Sequence, residues 1–245
     1  MFSIKGWIES RKAVPMPSDL FRGACDVHAH LVPGVDDGLQ TPEATAEALQ
    51  WYKDAGFVGV SATPHFMTDF PHSEDEIRAA FSRIAAPEGL TLQLAGEYMI
   101  DDDFEGHLNA GPLTFTGKHL LVETSYVYRH PHFYDLLFDA SLAGYRPIIA
   151  HPERYAYASP KTYDHMQNIG CSLQLNLLSL SGVYGDSARS KALKLLDEGR
   201  YDFVGTDIHS LAALKARAAM IRLTPGQWDA VRRLFIANSR LFGEL

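Results

Sequence analysis

Residues 26–38 read DVHAHLVPGVDDG. A short β-prone run carries two histidines one residue apart, then breaks into a turn that ends in paired aspartates. Residues i and i+2 of an extended strand point to one face, so Asp26, His28 and His30 project together. Two imidazoles side by side are the beginning of a metal site. Pro33, Gly34 and Gly38 mark a turn that brings Asp36 or Asp37 back toward the same point. A lone His-x-His is as readily a surface feature, so the decision rests on whether the same pattern recurs.

It recurs. After residue 22 the chain repeats a β-rich apolar run, a polar turn and a helical pattern. The runs are GACDVHAH, FVGVSATPH, LTLQLAGEY, HLLVETS, RPIIAHPE, CSLQLNLL and YDFVGTDIH, seven in all. Between them, TPEATAEALQWYKDAG opens with Thr41 as N-cap and Pro42 at the first helical position, and closes on Gly56. In FYDLLFDASLAG, Phe133, Leu136, Leu137 and Ala140 recur at helical spacing. DSARSKALKLLDEG and TPGQWDAVRRLFIANSRLF follow the same rule, whereas the third and fourth runs are joined by an irregular stretch with an acidic run at Asp101 to Asp103. Repeated β-then-α units make a parallel sheet, and seven of them predict an α/β fold closed or nearly closed into a barrel. An open doubly wound sheet is the alternative, weakened because no Gly-rich phosphate loop follows the first run. The expected organisation is one domain over residues 23–245 behind an N-terminal extension, residues 1–22.

The polar residues sit where these runs end. His28 and His30 end the first, His65 the second, Glu97 the third, Glu123 the fourth, His151 the fifth, and Asp207 with His209 the seventh. In a parallel barrel the C-terminal strand ends open on one face, where active sites are built. One such residue would read as a satisfied rim or core histidine; core packing does not place them on six strands of seven. Five histidines and three carboxylates, with Asp37 as a fourth, exceed what a single ion takes. Two or three ions fit better, with at least one carboxylate bridging. Imidazole and carboxylate without thiolate suit manganese, iron or zinc. Such clusters clamp the attacking and leaving oxygens of a phosphoryl group, so hydrolysis of a phosphate ester is the leading chemistry. Arg154, three residues after His151 at the same rim, can bind phosphate bidentately. Its alternative is a surface arginine paired with Glu153.

Composition excludes several other classes. With 46% apolar and 21% charged residues the chain is an ordinary globular one, and a net charge of −8 offers neither a nucleic-acid footprint nor a polybasic membrane patch. Lys5, Glu9, Arg11 and Lys12 interrupt the leading segment, and no run reaches the roughly 18 apolar residues of a spanning helix. A cytoplasmic protein without direct membrane insertion is expected. Neither Cys25 nor Cys171 is followed by an arginine six positions on, which excludes a thiol-based phosphatase. His72, His107, His119 and His165 read as surface residues. An isologous dimer is compatible with this sequence but no surface pattern demands one.

Taken together, DVHAHLVPGVDDG, ATPH, GEY, LVETS, AHPERY and GTDIH resemble the PHP (polymerase and histidinol phosphatase) family. PGVDDG with AHPERY resembles its bacterial branch of capsule- and exopolysaccharide-linked tyrosine-protein phosphatases, the CpsB/CapC type. The resemblance runs from Asp26 to His209. It implies a distorted (β/α)7 TIM-like barrel with three metals at the strand ends. By that resemblance His28, His30, Glu97 and Asp207 hold one ion, Glu97 bridges to a second held by Glu123 and His151, and Asp37, His65 and His209 hold a third. His65, Arg154 and Asp207 fall among the implied catalytic residues, and Arg154 matches a phosphate-contacting arginine. A second arginine expected after Asp-x-His has no clean counterpart in SLAALKAR, where Lys215 and Arg217 are the candidates for substrate binding. The implied substrate is a phosphotyrosine protein, the Tyr-rich tail of a membrane tyrosine autokinase controlling polysaccharide synthesis. Tyr126, Tyr128, Arg129, His130 and His132 are candidates for an aromatic rim. A small-molecule phosphatase of the histidinol-phosphatase type and a non-catalytic, metal-folded binding module are the alternatives.

Overall fold

All seven expected runs form strands, and they lie parallel. The computed structural model describes residues 12–243. In chain order the strands are β1 (Val14–Pro15), β2 (Cys25–Ala29), β3 (Gly59–Ala62), β4 (His65–Phe66), β5 (Thr91–Leu94), β6 (Glu97–Met99), β7 (His119–Glu123), β8 (Arg146–Ala150), β9 (Ser172–Asn176), β10 (Phe203–Gly205) and β11 (Arg222–Leu223). One parallel sheet runs β10-β9-β8-β7-β6-β4 and a second runs β2-β3-β5. The second and third expected strands are each broken in two, at Thr63-Pro64 and at Ala95-Gly96. The halves stay in step, since Ala62 pairs with Leu94 and His65 with Glu97. Backbone hydrogen bonds cross the break, Ala95 N to Ala62 O at 2.9 Å and Glu97 N to Pro64 O at 3.0 Å. The ring closes between β10 and β2, where Ala29 bridges Ile208 in parallel and Asp207 N donates to His28 O at 2.8 Å. The result is the distorted (β/α)7 TIM-like barrel.

The closing seam is held partly by a side chain. Asp26 accepts from His28 N (3.1 Å), Thr206 N (3.1 Å), Thr206 Oγ1 (2.6 Å) and Tyr52 OH (2.7 Å). The β2–β3 register shifts between Asp26 and Ala29, so simple alternation does not hold across the strand. Asp26 therefore stitches the seam instead of projecting with His28 and His30, which corrects the expectation drawn from i, i+2 spacing. Burial pushes its carboxyl pKa up, against the pull of these four donors.

The helices wrap the barrel as their spacing predicts. In Pro42–Ala55, Thr41 accepts from Ala44 N, Gly56 closes the helix in the left-handed conformation, and Ala48, Leu49 and Tyr52 face inward. In Phe133–Leu142 the buried side chains are Phe133, Leu136, Leu137 and Ala140. A large apolar side chain buried in this way contributes roughly 1.5–3 kcal/mol. β2, β3, β7, β8, β9 and β10 are buried along almost their whole length, as a parallel sheet covered by helices requires, and the polar side chains they carry, such as Asp26, His28, Gln174 and Asn176, find partners inside. The stretch between the third and fourth runs, expected to be irregular, holds a short helix, Phe104–Ala110.

Part of the expected N-terminal extension packs against the barrel. β1 pairs antiparallel with β11, and Leu20 and Phe21 are buried. The Phe21 ring stacks on Phe57 with centroids 4.6 Å apart and meets Phe235 edge-on at 5.3 Å. Residues 1–11 of that extension lie outside the described residues. Among the described residues no helix is long and apolar enough to cross a membrane.

Candidate metal centre

The strand ends deliver their side chains to one place. Glu97, wholly buried at the start of β6, sits at the middle of it. Its Oε2 lies 3.0 Å from His28 Nε2, 3.3 Å from His30 Nε2 and 3.2 Å from His65 Nδ1, and its Oε1 lies 2.9 Å from His151 Nε2. Glu123 Oε1 is 3.0 Å from His65 Nδ1, and its Oε2 is 3.8 Å from His151 Nε2. Asp207 Oδ1 faces His28, His30 and His209 at 3.4, 3.3 and 3.5 Å. At the mouth, the exposed Asp37 brings Oδ1 to 3.2 Å from His209 Nε2 and 3.6 Å from His65 Nε2. All nine candidate ligands thus meet.

Three overlapping groups have donor atoms within 4.8 Å of one another. The first is His28, His30, Glu97 and Asp207, the set that the resemblance implies for one ion. The second joins His65 to Glu97 and Glu123, where His151 was expected; His151 approaches the same carboxylates from the other side. The third adds His30 to Asp37, His65 and His209. His65 faces two groups, one with each ring nitrogen.

The chemistry of this donor set fits divalent ions. It is all nitrogen and oxygen, and it packs four carboxylates among five imidazoles. Among the described residues, His151 Nδ1 is buried without a hydrogen-bond partner, and His65 Nδ1 and Glu123 Oε1, though 3.0 Å apart, do not align into a hydrogen bond. An unmatched buried polar atom costs about 1–3 kcal/mol, so several in one cluster indicate that cations belong there. Protonation leads to the same conclusion. Burial pushes the His28 imidazole down, but the carboxylates of Glu97 and Asp207 outweigh it and hold the pKa up to about 9. His30 is likewise raised well above the usual imidazole range against its burial, chiefly by Asp36. Burial raises Glu97 and Asp207, yet the surrounding imidazoles bring both well below the usual carboxylate range. The carboxylates demand positive charge, and protons and metal ions compete to supply it.

Neighbouring residues aim the donors. Asp36 Oδ2 lies 2.8 Å from His30 Nδ1 and accepts from His65 N at 3.1 Å, which leaves His30 Nε2 free for a ligand role. Both aspartates of the PGVDDG turn therefore return to the site, Asp37 as a donor and Asp36 as the support of His30. Gln174 Oε1 accepts from His151 N and lies against His28 Nδ1, each at 3.2 Å. Gly38 and Gly205 make room, since a Cβ on either would come within 2.3 Å of the Cβ of His30 or His28 respectively. His151 and Asp207 hold left-handed backbone, at φ 34° and 52°, a strain of about 1–3 kcal/mol each that recurs at functional sites.

Above the donors opens a cavity of about 420 Å³, lined on its polar side by Asp37, His65, His151, Asp207 and His209. Arg154 lines it too. Its Nη1 donates to Asp207 Oδ2 at 2.9 Å, and its guanidinium carbon lies 4.3 Å from the Tyr126 ring centroid and 4.1 Å from that of Tyr184. The alternative pairing with Glu153 is overturned: Glu153 is buried, accepting from Asn176 N and Tyr201 OH. Arg217 lines the cavity, whereas Lys215 is exposed outside it. Of the expected aromatic rim, Tyr126 lines this cavity, Tyr128 and His130 line a separate one, Arg129 stacks on Tyr134, and His132 faces Asp135. Tyr184, Gln174 and Asn176 had no signal in the sequence. His72, read as a surface residue, is half-buried with Nε2 2.7 Å from Val35 O, bracing the turn that carries the aspartates. Both cysteines are buried, and burial pushes their thiols up to about 12.

The family described as "Capsular polysaccharide synthesis, CpsB/CapC" matches residues 24–241. The tyrosine-protein phosphatase YwqE of Bacillus subtilis is 26% identical over 196 residues, covering 76% of this chain and 77% of that protein. The tyrosine-protein phosphatase CpsB of Streptococcus agalactiae is 28% identical over 233 residues, covering 88% of this chain and 96% of that protein. Among solved structures, one described as YwqE from Bacillus subtilis and CpsB from Streptococcus pneumoniae, unique metal-dependent tyrosine phosphatases, superimposes with a TM-score of 0.66 at 23% identity. That match covers 89% of this chain and 90% of that one.

Proposed function

This chain belongs to the CpsB/CapC family of capsular polysaccharide synthesis, and from that premise we propose that it is a metal-dependent protein-tyrosine phosphatase. The observation that carries the reading is the convergence of nine nitrogen- and oxygen-donor residues on the floor of a cavity that also holds Arg154. His28, His30, Glu97 and Asp207 would hold one ion. Glu97 and Glu123, with His65 or His151, would hold a second, and Asp37, His65 and His209 a third. These donors accept manganese, iron or zinc, and the resemblance to the PHP family puts manganese first. When bound, such ions supply Lewis acidity and charge neutralisation to a phosphoryl group.

The chain's own residues then have distinct tasks. Arg154 binds the phosphoryl oxygens and offsets the charge they gain in the transition state. Asp207 serves two neighbours, with Oδ1 toward the imidazoles and Oδ2 on Arg154, so the arginine is registered against the ligands. Arg217 is the second cation of the cavity; Lys215 lies too far outside to share that task. His65 presents its ring to the cavity between two donor groups. The departing phenol has a pKa of roughly 10, low for an alcohol, so the protein needs no strong acid beside it.

The substrate we propose is phosphotyrosine on the Tyr-rich tail of a membrane tyrosine autokinase, met in the cytoplasm. A tail can thread a single side chain into a cavity of about 420 Å³, which is of ligand-binding size. The test is hydrolysis of a phosphotyrosine peptide before chelation, after it, and after add-back of manganese, iron or zinc. Activity should vanish with the metal and return with it. Activity indifferent to chelation, or a large preference for an aliphatic phosphate ester, would remove the proposal.

A further inference from the structure

Arg154 is held by more than its ion pair. Two tyrosine rings lie close to its guanidinium carbon, at 4.3 Å for Tyr126 and 4.1 Å for Tyr184. A guanidinium has two faces, and a ring at van der Waals distance on each would leave only its edges free. Among the described residues, one edge is spent on Asp207, its single side-chain acceptor. Arginine offers five N–H donors, so others remain beyond the one spent on Asp207, and Arg154 lines the cavity.

The rings are themselves tied to the donor floor. Tyr126 OH donates to Glu123 Oε2 at 3.3 Å. Asn176 Nδ2 donates to Asp207 Oδ2 at 2.7 Å and reaches Tyr184 OH at 3.5 Å. Arg154, Asp207, Asn176 and Tyr184 thus form a closed circuit, and Tyr126 makes a second anchor to another candidate ligand. Neither tyrosine is adjacent in sequence to Arg154, so the arrangement is a product of the fold.

We propose that Tyr126 and Tyr184 are positioning residues that stack on Arg154 and keep its free N–H edge aimed at the phosphoryl group. A free arginine side chain samples many rotamers, and ordering it during binding weakens the contact it makes. Stacking by cation–π attraction settles that orientation in advance. What matters in this role is the ring of Tyr184, not its hydroxyl, and it acts only through Arg154. The kinetic part of the proposal rests on the phosphatase reading; the phosphate-binding part does not.

The test is a double-mutant cycle on the metal-loaded protein. Wild type, Tyr184→Leu, Arg154→Ala and the double variant are compared, with Tyr184→Phe as the conservative control. Inorganic phosphate affinity is measured by calorimetry, kcat and KM on a phosphotyrosine peptide, and metal content by elemental analysis. Tyr184→Leu should weaken phosphate binding and lower kcat/KM by about 10-fold with metal content unchanged, and Tyr184→Phe should stay within about twofold. In the Arg154→Ala background, Tyr184→Leu should change either quantity by less than about twofold. Equal losses in both backgrounds, a Phe variant as poor as Leu, or loss of metal would overturn the proposal. Should Tyr184→Leu fail to fold, Tyr126→Leu against Tyr126→Phe runs the same cycle and subtracts the hydroxyl contact to Glu123. A wild type that hydrolyses no phosphotyrosine would sink the phosphatase reading, while the phosphate cycle would still decide the role of the two rings.

Discussion

Arg154→Ala removes a guanidinium bonded to Asp207 at 2.9 Å, but it leaves Asp207 its other neighbours. Asp207 Oδ2 keeps Asn176 Nδ2 at 2.7 Å, and Oδ1 still faces three imidazoles within 3.5 Å. The Arg154 side chain is 16% exposed and borders an open cavity, so water can take the lost position. The donor floor should therefore survive, and metal content should match wild type. Catalysis should not survive intact. Removing one preorganised donor from a developing oxyanion costs about 2.7–4 kcal/mol, or roughly 10²–10³ in kcat. Arg217 shares the cavity, which places the expected loss at the lower end, about 10²-fold. Arg154→Lys should recover less than about tenfold of that, because an ammonium neither stacks nor binds two oxygens at once. Initial rates on a phosphotyrosine peptide with elemental analysis of the same samples test this. Full turnover in Arg154→Ala, or metal lost in parallel with activity, would refute the reasoning.

Asp207→Ala should behave differently: it strips an anionic donor as well as the partner of Arg154, so both metal content and activity fall together, read by the same two measurements. Asp36→Ala touches no cavity but unties His30 Nδ1, and should weaken metal binding about 10–100-fold in a titration against a chelator of known affinity while the circular dichroism spectrum stays native. Asp26→Ala leaves the buried backbone N–H groups of His28 and Thr206 without their acceptor and the Tyr52 and Thr206 hydroxyls with only each other, and should lower the unfolding free energy by about 3–5 kcal/mol in urea. Iodoacetamide at pH 8 should neither label nor inactivate the native protein. With thiol pKa values raised to about 12, the reactive thiolate is lost as pH falls below 12, and on the order of one part in 10⁴ remains at pH 8. Rapid alkylation with loss of activity would contradict that.

The helix from Pro42 to Ala55 was legible because its N-cap, its proline and its closing glycine lie within one contiguous stretch. The strand ends were legible for a related reason: a β-run followed by His, Glu or Asp is a local pattern, and its repetition places the polar residues at one barrel mouth. Where a residue's role depends on a neighbour far along the chain, the pattern was silent or misleading. Asp26 sits two residues before His28, yet a register shift and Thr206, 180 residues away, make it the closing stitch of the barrel. Glu153 adjoins Arg154 in sequence but turns inward to Asn176 and Tyr201. Lys215 and Arg217 lie two residues apart on one helix, Leu211–Ala218, and only the second borders the cavity.

From its sequence alone this protein was determined to be a parallel barrel with a crown of nitrogen and oxygen donors, because periodicity and residue type are local quantities. Which donors share a group, which aspartate of the PGVDDG turn supports His30 and which one joins the donors at the mouth, and how two distant tyrosines meet Arg154 were decided only by tertiary structure. Those choices depend on distances of a few ångströms between residues tens to hundreds of positions apart, and closure of the barrel is what sets them.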